Sequence, residues 1–148
     1  IVRIHHLFPG ATDAFRSIVL PQVAGRKNTL ILDLRGCREG EIEEARGLVN
    51  LFLKSPRAGT FEKKGGIKTV WACPAEPVLP AVPLVVWVDP ATMGPAEIAA
   101  GVLCDLKRAI VVGTPTAGLA AAQKLLPLDA GDGSVSYPHL TLPTISPV

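Results

Sequence analysis

Two side chains in this sequence, Thr92 and Cys37, could act as nucleophiles if a neighbouring group accepted their proton. Thr92 carries a hydroxyl and follows Asp89 by three residues, so that carboxylate or a histidine could accept its proton. Cys37 could attack as a thiolate if an imidazole acted as its base. The imidazoles belong to His5, His6 and His139. Nothing in the sequence places them beside either residue, and the alternatives are a turn-stabilising hydroxyl and a buried, reduced thiol.

The cysteines and histidines do not have the spacing of a metal site. The three cysteines are an odd number and include no CxxC pair, which argues against a complete disulfide framework and a zinc site. Their positions are Cys37, Cys73 and Cys104. His5 and His6 are adjacent in a predicted strand, where neighbouring side chains point to opposite faces and cannot readily share an ion. We therefore predict no metal and no cofactor.

Composition limits the class of partner. The chain has 148 residues, 48% hydrophobic and 19% charged, which predicts one compact domain. The net charge of +2 predicts neither a nucleic-acid nor an anionic-membrane partner. The longest charge-free stretch, residues 133–148, contains prolines and hydroxyls, so we predict no membrane span. The acidic run Glu41, Glu43 and Glu44 is predicted to form a solvated helix face.

Hydrophobic periodicity orders the predicted elements as β, α, β, α, ββ, β, α, β. Strands are predicted at residues 1–7, 29–34, 60–63, 67–71, 84–88 and 109–112, and helices after Thr12, from Glu41 and from Pro95. The apolar runs 29–34 and 84–88 are typical of a parallel sheet covered on both faces, which requires crossover connections. We therefore predict a layered α/β fold with a mostly parallel sheet. Function is expected in the loop 89–94, at a strand's carboxyl end.

Three segments of the sequence carry recognisable motifs. Residues 30–36 read L-I-L-D-L-R-G, and residues 84–88 and 97–103 read L-V-V-W-V and E-I-A-A-G-V-L. Residues 108–113 read R-A-I-V-V-G and precede Thr116, Gly118 and Gln123. In order and spacing these segments resemble the carboxyl-terminal processing peptidases, also called tail-specific proteases. The resemblance covers residues 1–136 and implies a Ser-Lys serine peptidase of the Clp-protease/crotonase-like fold; residues 137–148 form an unassigned tail.

The same resemblance implies where the catalytic groups should lie. Counting back from Glu97 in the family's S-A-S-E motif places the nucleophile position at Gly94. Counting back from Gln123 in the family's G-K-G-x-V-Q motif places the lysine base at Leu119. Gln123 itself corresponds to the glutamine that orients the lysine. Neither Gly94 nor Leu119 can attack a carbonyl or accept a proton, so both reactive groups are missing.

The implied oxyanion hole, which binds the negative oxygen through backbone N–H groups, is altered as well. Pro95 follows the nucleophile position and has no N–H to donate. Loss of one such donor lowers a rate by about 10²- to 10³-fold. The family's N-P-G-G loop ends here in Glu39-Gly40. The Glu39 carboxylate therefore replaces a glycine and would oppose the developing charge.

These departures lead to three hypotheses about function. The first is a peptidase-like domain that has lost catalysis and binds unfolded or apolar carboxyl-terminal segments of client proteins. The second is an active serine-type endopeptidase that uses relocated groups such as Thr92 or Cys37. The third is a structural or oligomerising module.

Two further expectations concern the parent protein. The sequence has no initiator Met, so we expect these residues to be part of a longer chain. The PDZ domain that usually accompanies such peptidases does not occur in them. The resemblance implies a periplasmic or extracytoplasmic compartment.

Overall fold

The computed structural model describes residues 1–25, 28–62 and 66–120 in full, and the backbone of residues 124–127, 133–136 and 139–140. The strands are β1 (Val2–Arg3), β2 (Leu30–Asp33), β3 (Ser55–Glu62), β4 (Lys68–Cys73), β5 (Leu84–Val88), β6 (Ile110–Gly113), β7 (Lys124–Pro127), β8 (Gly133–Ser136) and β9 (His139–Leu140). The first helical segment contains α1 (Ala11–Ala14), a π-helical turn (Phe15–Val19) and α2 (Leu20–Val23). It is followed by α3 (Ile42–Asn50) and α4 (Pro95–Asp105).

The strands form one parallel sheet and two smaller antiparallel ones. The parallel sheet has the order β1-β2-β5-β6, and its central pair aligns Leu32 with Val86. The antiparallel sheets have the orders β4-β3-β9 and β7-β8. The predicted α/β fold with a mostly parallel sheet is confirmed. The two apolar runs that indicated buried strands correspond to β2 and β5.

Helix α4 is the most deeply buried helix segment described. Residues 95–103 are all buried, with Ile98, Val102 and Leu103 fully excluded from solvent. The helix contacts α3 and β6, as a helix that is apolar on every side must. Its N-terminus is therefore fixed at the carboxyl end of β5. Within the described residues, no helix is both long and apolar enough to cross a membrane.

Arg108 joins three separate segments just before β6. Its Nε donates a hydrogen bond to the Phe52 carbonyl at 2.8 Å. Its Nη2 donates to the carbonyls of Leu79 at 2.8 Å and Val82 at 2.7 Å. Burial lowers the pKa of Arg108. The guanidinium thus holds the end of α3 and the connection to β5 against the strand that leads to the candidate site.

The first helical segment begins earlier than predicted. Its N-cap is Gly10, with φ of 93°, and not the residue Thr12 that the sequence indicated. The Glu44 carboxylate of α3 accepts hydrogen bonds from the N–H groups of Gly10 and Thr12, both at 2.8 Å. Burial acts against the charged form, but these hydrogen bonds outweigh it and lower the pKa of Glu44. The prediction of a solvated face is therefore wrong for Glu44, whereas Glu41 and Glu43 are exposed.

The strand predicted at residues 1–7 is interrupted. Only β1 pairs with β2, and Leu7 forms an isolated parallel bridge with Gly40. His5 and His6 lie between these two pairings, so the prediction that they occupy opposite faces of a strand is wrong. Both are exposed, and their ring centroids are 6.4 Å apart.

The predicted hairpin is present and is longer than its sequence pattern indicated. Strands β3 and β4 pair Thr60 with Val70 and Glu62 with Lys68, and after a register shift between Ser55 and Gly59 the pairing continues to Ser55 and Cys73. Residues 63–65 lie outside the described residues. The backbone of β9 adds to the other edge of β3.

Candidate functional site

Loops from three parallel strands meet at the carboxyl end of the sheet. The N–H of Met93, in the loop after β5, donates to the carbonyl of Cys37, in the loop after β2, at 2.9 Å. The N–H of Ala117, in the loop after β6, donates to the carbonyl of Thr92 at 3.3 Å. These bonds place the candidate site at the edge where parallel α/β sheets carry function.

Gly94 lies where the loop after β5 enters helix α4. It is the N-cap of α4, with φ of 54° and ψ of −121°. This combination lies outside the backbone regions that residues with a Cβ readily adopt. A serine at the implied nucleophile position would hold the same backbone under strain, as functional residues often do. Glycine adopts it without that strain.

Glu97 connects the two positions at which the family resemblance places the catalytic pair. Its side chain is buried, with 5% of the residue exposed. Oε2 accepts hydrogen bonds from the N–H groups of Gly94 at 3.0 Å and Leu119 at 2.9 Å. Oε1 accepts one from the N–H of Gly118 at 2.7 Å. Positions 94 and 119 are therefore adjacent in space through one carboxylate oxygen, and the Leu119 side chain is 58% exposed.

The N–H groups at the start of α4 already have acceptors. Met93 donates to the Cys37 carbonyl and Ala96 to the Met93 carbonyl. Gly94 donates to Glu97, and Pro95 has no N–H. A substrate carbonyl oxygen placed at residues 93–96 would therefore meet no free donor, although a helix N-terminus usually offers several.

The Thr92 hydroxyl is fully buried inside the turn that precedes α4. It accepts a hydrogen bond from the Asp89 N–H at 3.0 Å. Its own hydrogen faces the Leu34 carbonyl at 3.0 Å and Asp89 Oδ1 at 3.1 Å. Burial opposes ionisation of Asp89, but hydrogen bonds, including those from the Gly36 N–H and the Thr92 hydroxyl, lower its pKa. This geometry favours a turn-stabilising hydroxyl beside a weak base.

The Cys37 thiol is fully buried, as are most structural free cysteines. Burial raises the pKa of Cys37 to about 11, so the thiolate is a minor species at neutral pH. His5 and His6 are exposed, and the His139 side chain lies outside the described residues. These observations favour the structural role of Cys37.

The altered loop after β2 is held by the amino-terminal segment. The Glu39 carbonyl accepts the Leu7 N–H at 2.9 Å, and the Leu7 carbonyl accepts the Glu41 N–H at 2.8 Å. Between them, a Cβ on Gly40 would lie 2.4 Å from the Leu7 Cβ, so glycine is required by this close approach. The Glu39 side chain is exposed.

A bidentate ion pair fixes the direction in which the chain leaves β2. Arg35 Nε and Nη2 lie 2.8 and 2.9 Å from the two carboxylate oxygens of Asp33. The hydrogen bond from Arg35 lowers the pKa of Asp33, although burial opposes it. The guanidinium also lies 4.8 Å from the ring centroid of Trp87 on β5. The pair thus holds the Arg35 guanidinium at the end of β2, over the neighbouring strand β5.

Gln123, the implied orienting residue, lies outside the described residues, so its role stays a prediction. Across the described part of the chain, no three His, Cys, Asp or Glu residues form a group that could hold a metal ion.

Sequence reasoning used Glu97 only to set the motif register and missed its structural role. A carboxylate three residues after an N-cap is part of the capping-box pattern, which could have predicted its bond to Gly94. The bonds to Gly118 and Leu119 join residues distant in sequence, and no local signal indicates them.

Comparison with known proteins gives consistent matches. The model of peptidase family S41 matches residues 2–142. The chloroplastic C-terminal processing peptidase of Tetradesmus obliquus is 28% identical over 123 residues, which are 83% of this chain and 26% of that protein. The carboxyl-terminal-processing protease of a Picosynechococcus strain is 34% identical over 103 residues, which are 70% of this chain and 25% of that protein.

A solved structure shares the same fold. The photosystem II D1 C-terminal processing protease aligns with a TM-score of 0.80 at 24% sequence identity, covering 96% of this chain and 36% of that chain. The chain spans about a quarter of the length of the curated relatives it matches.

Proposed function

Because this chain belongs to peptidase family S41, as its motifs predicted, we propose that it is a peptidase-fold core that binds peptides without cleaving them. The observation that carries the proposal lies at the start of α4. There, Gly94 and Pro95 occupy the implied positions of the nucleophile and of an oxyanion donor, and neither supplies the required group. Leu119, at the implied base position, has no proton acceptor on its side chain.

The hydrogen bonds around α4 support this loss of catalysis. Oxyanion stabilisation requires preorganised donors aimed at the developing charge. The N–H groups of Met93 and Gly94 are bound instead to the Cys37 carbonyl and to Glu97. Restoring the nucleophile alone would therefore leave the negative oxygen unstabilised.

The same geometry weighs against relocated catalytic groups. An attacking hydroxyl or thiol must reach the substrate carbonyl. The Thr92 hydroxyl is enclosed in its turn and Cys37 is fully buried. The active-endopeptidase alternative therefore has less support than the binding alternative.

Exposed apolar side chains beside the site support peptide binding. Among the described strands, β6 lies at an edge of the parallel sheet. Ile110, Val112 and Leu119 are 68%, 44% and 58% exposed. An extended apolar segment could add to such an edge through backbone hydrogen bonds while its side chains cover these residues. The printed names of the relatives refer to carboxyl-terminal processing, so we propose that the segment is a protein's carboxyl terminus.

Cleavage is tested by incubating the protein with unfolded substrates that carry apolar carboxyl termini and analysing the products by mass spectrometry. We expect no cleavage above that of the same substrates incubated without the protein. Specific cleavage that depends on this chain would overturn the proposal, and loss of it in Thr92→Ala or Cys37→Ala would identify the relocated nucleophile.

A reconstruction experiment tests the physical reason for inactivity. The double variant Gly94→Ser/Leu119→Lys should stay inactive or nearly so. Adding Pro95→Ala should raise any rate by about 10²- to 10³-fold, because it returns one oxyanion donor. Equal rates in the double and triple variants would show that Pro95 is not the limiting defect.

Binding is tested separately by titrating labelled peptides with free carboxyl termini, while light scattering follows the assembly state. Saturable binding of an apolar peptide, weakened by Val112→Asp, supports the proposal. No binding together with a stable assembly would support the structural or oligomerising alternative instead.

A further inference from the structure

A small cavity is lined in part by Glu97, whose side chain is buried. Its volume is about 30 Å³, which is room for about two water-sized groups. Val88, Ala100 and Val111 form its apolar walls, and Thr114 and Thr116 lie in the loop on its outer side. The wall residues are buried, whereas Thr114 is exposed. The lining therefore combines apolar residues, one residue with a carboxylate and two residues with hydroxyls.

The carboxylate has capacity for one more hydrogen bond. Two carboxylate oxygens offer about four acceptor sites in total. Oε2 of Glu97 uses two of them, for Gly94 and Leu119. Oε1 uses one, for Gly118. Counting only donors in the described residues, one acceptor site remains, on Oε1, and Glu97 is one of the residues that line the cavity.

The negative charge of Glu97 also has no positive partner in the part of the chain that the structure describes. The ion pairs found there within 4.0 Å involve Asp33, Glu43, Glu62 and Glu76. Of the described residues, those that bind the Glu97 carboxylate do so through backbone N–H groups. Buried charges are usually paired, so a cation placed in the adjacent cavity would gain a strong interaction.

We propose that this cavity binds a primary ammonium group. An ammonium has three donors and no acceptor, which matches the free acceptor on Glu97 and the hydroxyls of Thr114 and Thr116. The methylene next to the nitrogen would contact the walls formed by Val88 and Val111. The source is either a lysine side chain of a bound polypeptide or a small free amine. This inference concerns a different ligand group from the apolar carboxyl terminus, and it does not require that the chain be catalytically inactive.

The site is tested by nuclear magnetic resonance on isotope-labelled protein, following the amide signals of Gly94, Gly118 and Leu119. Methylammonium chloride is the probe, with sodium chloride and tetramethylammonium chloride at equal ionic strength as controls. We expect saturable shifts with methylammonium alone, with a dissociation constant on the order of 10 mM for so small a ligand. Equal, non-saturating shifts with all three salts would overturn the proposal.

Two peptides distinguish the sources of the ammonium. One has a single lysine, and the other has norleucine in its place; both have blocked termini. Saturation by the lysine peptide at lower concentration than methylammonium supports a polypeptide source. Saturation by methylammonium alone supports a free amine.

A cavity-filling variant checks the location. Ala100→Val keeps the Glu97 carboxylate but occupies the cavity, so methylammonium binding should weaken at least tenfold. Thr116→Val, which removes a hydroxyl while keeping a similar side-chain size, should weaken it less. Undiminished binding by a folded Ala100→Val protein would place the ammonium elsewhere and overturn the assignment.

Discussion

Replacing Gly94 with alanine should destabilise the folded protein. Where the backbone conformation suits alanine, the same replacement is stabilising, because alanine lowers the conformational entropy of the unfolded chain. The cause of the destabilisation is the backbone at this position, with φ of 54° and ψ of −121°. A Cβ in such a conformation is strained by about 1–3 kcal/mol. Alanine also lowers the conformational entropy of the unfolded chain, and this offsets about 0.4–1 kcal/mol of that strain. Taking the middle of both ranges, the expected net loss in the free energy of unfolding is about 1.3 kcal/mol.

Urea unfolding at neutral pH measures this loss directly, and a melting temperature lowered by about 2–8 °C should accompany it. Gly94→Ser should behave like Gly94→Ala, because the strain arises from the Cβ and not from the hydroxyl. Gly66→Ala is a matched control, since Gly66 has φ of 79° and open space around its Cβ position; it should lose about 1 kcal/mol or less. A Gly94→Ala protein as stable as the parent would refute the argument, because it would show that the turn relaxes freely.

Three other outcomes follow from the described contacts. Arg108→Ala should lower the free energy of unfolding by about 2–4 kcal/mol, because three buried carbonyls lose their charged donor. Arg108→Lys should lose less. A loss under about 1 kcal/mol for Arg108→Ala, measured by urea unfolding, would contradict this prediction. The pKa of Asp33 is lower in the folded protein than in the unfolded chain, so its contribution is present above about pH 4 and is lost as pH falls through the folded value. Asp33→Asn should therefore flatten the acid limb of the stability profile, and an unchanged limb would argue against the Arg35 pair. Iodoacetamide at pH 7.5 should modify the partly exposed Cys104 before Cys37, whose pKa burial raises to about 11; mass spectrometry showing Cys37 labelled first would contradict its burial.

Local sequence patterns predicted a helix or strand correctly where residues within that element determine its position. The strand at 84–88 and the helix starting at Pro95 were predicted at the observed positions, because an uninterrupted apolar run and a proline at the first helical turn are strong local signals. The start of the first helix was wrong because Glu44, more than thirty residues away, supplies its cap. A local rule that looked for a neighbouring hydroxyl could only find Thr12.

The loss of reactive groups at the implied catalytic positions can be read from the sequence alone. Glycine, leucine and proline at positions 94, 119 and 95 lack a nucleophile, a base and a donor in any conformation, since these are properties of the residues themselves. Only the tertiary structure decided which of the remaining polar groups already have hydrogen-bond partners. The Thr92 hydroxyl, the Met93 N–H and the Glu97 carboxylate bind partners from other loops, and such partners are set by how the strands pack side by side rather than by their spacing along the chain.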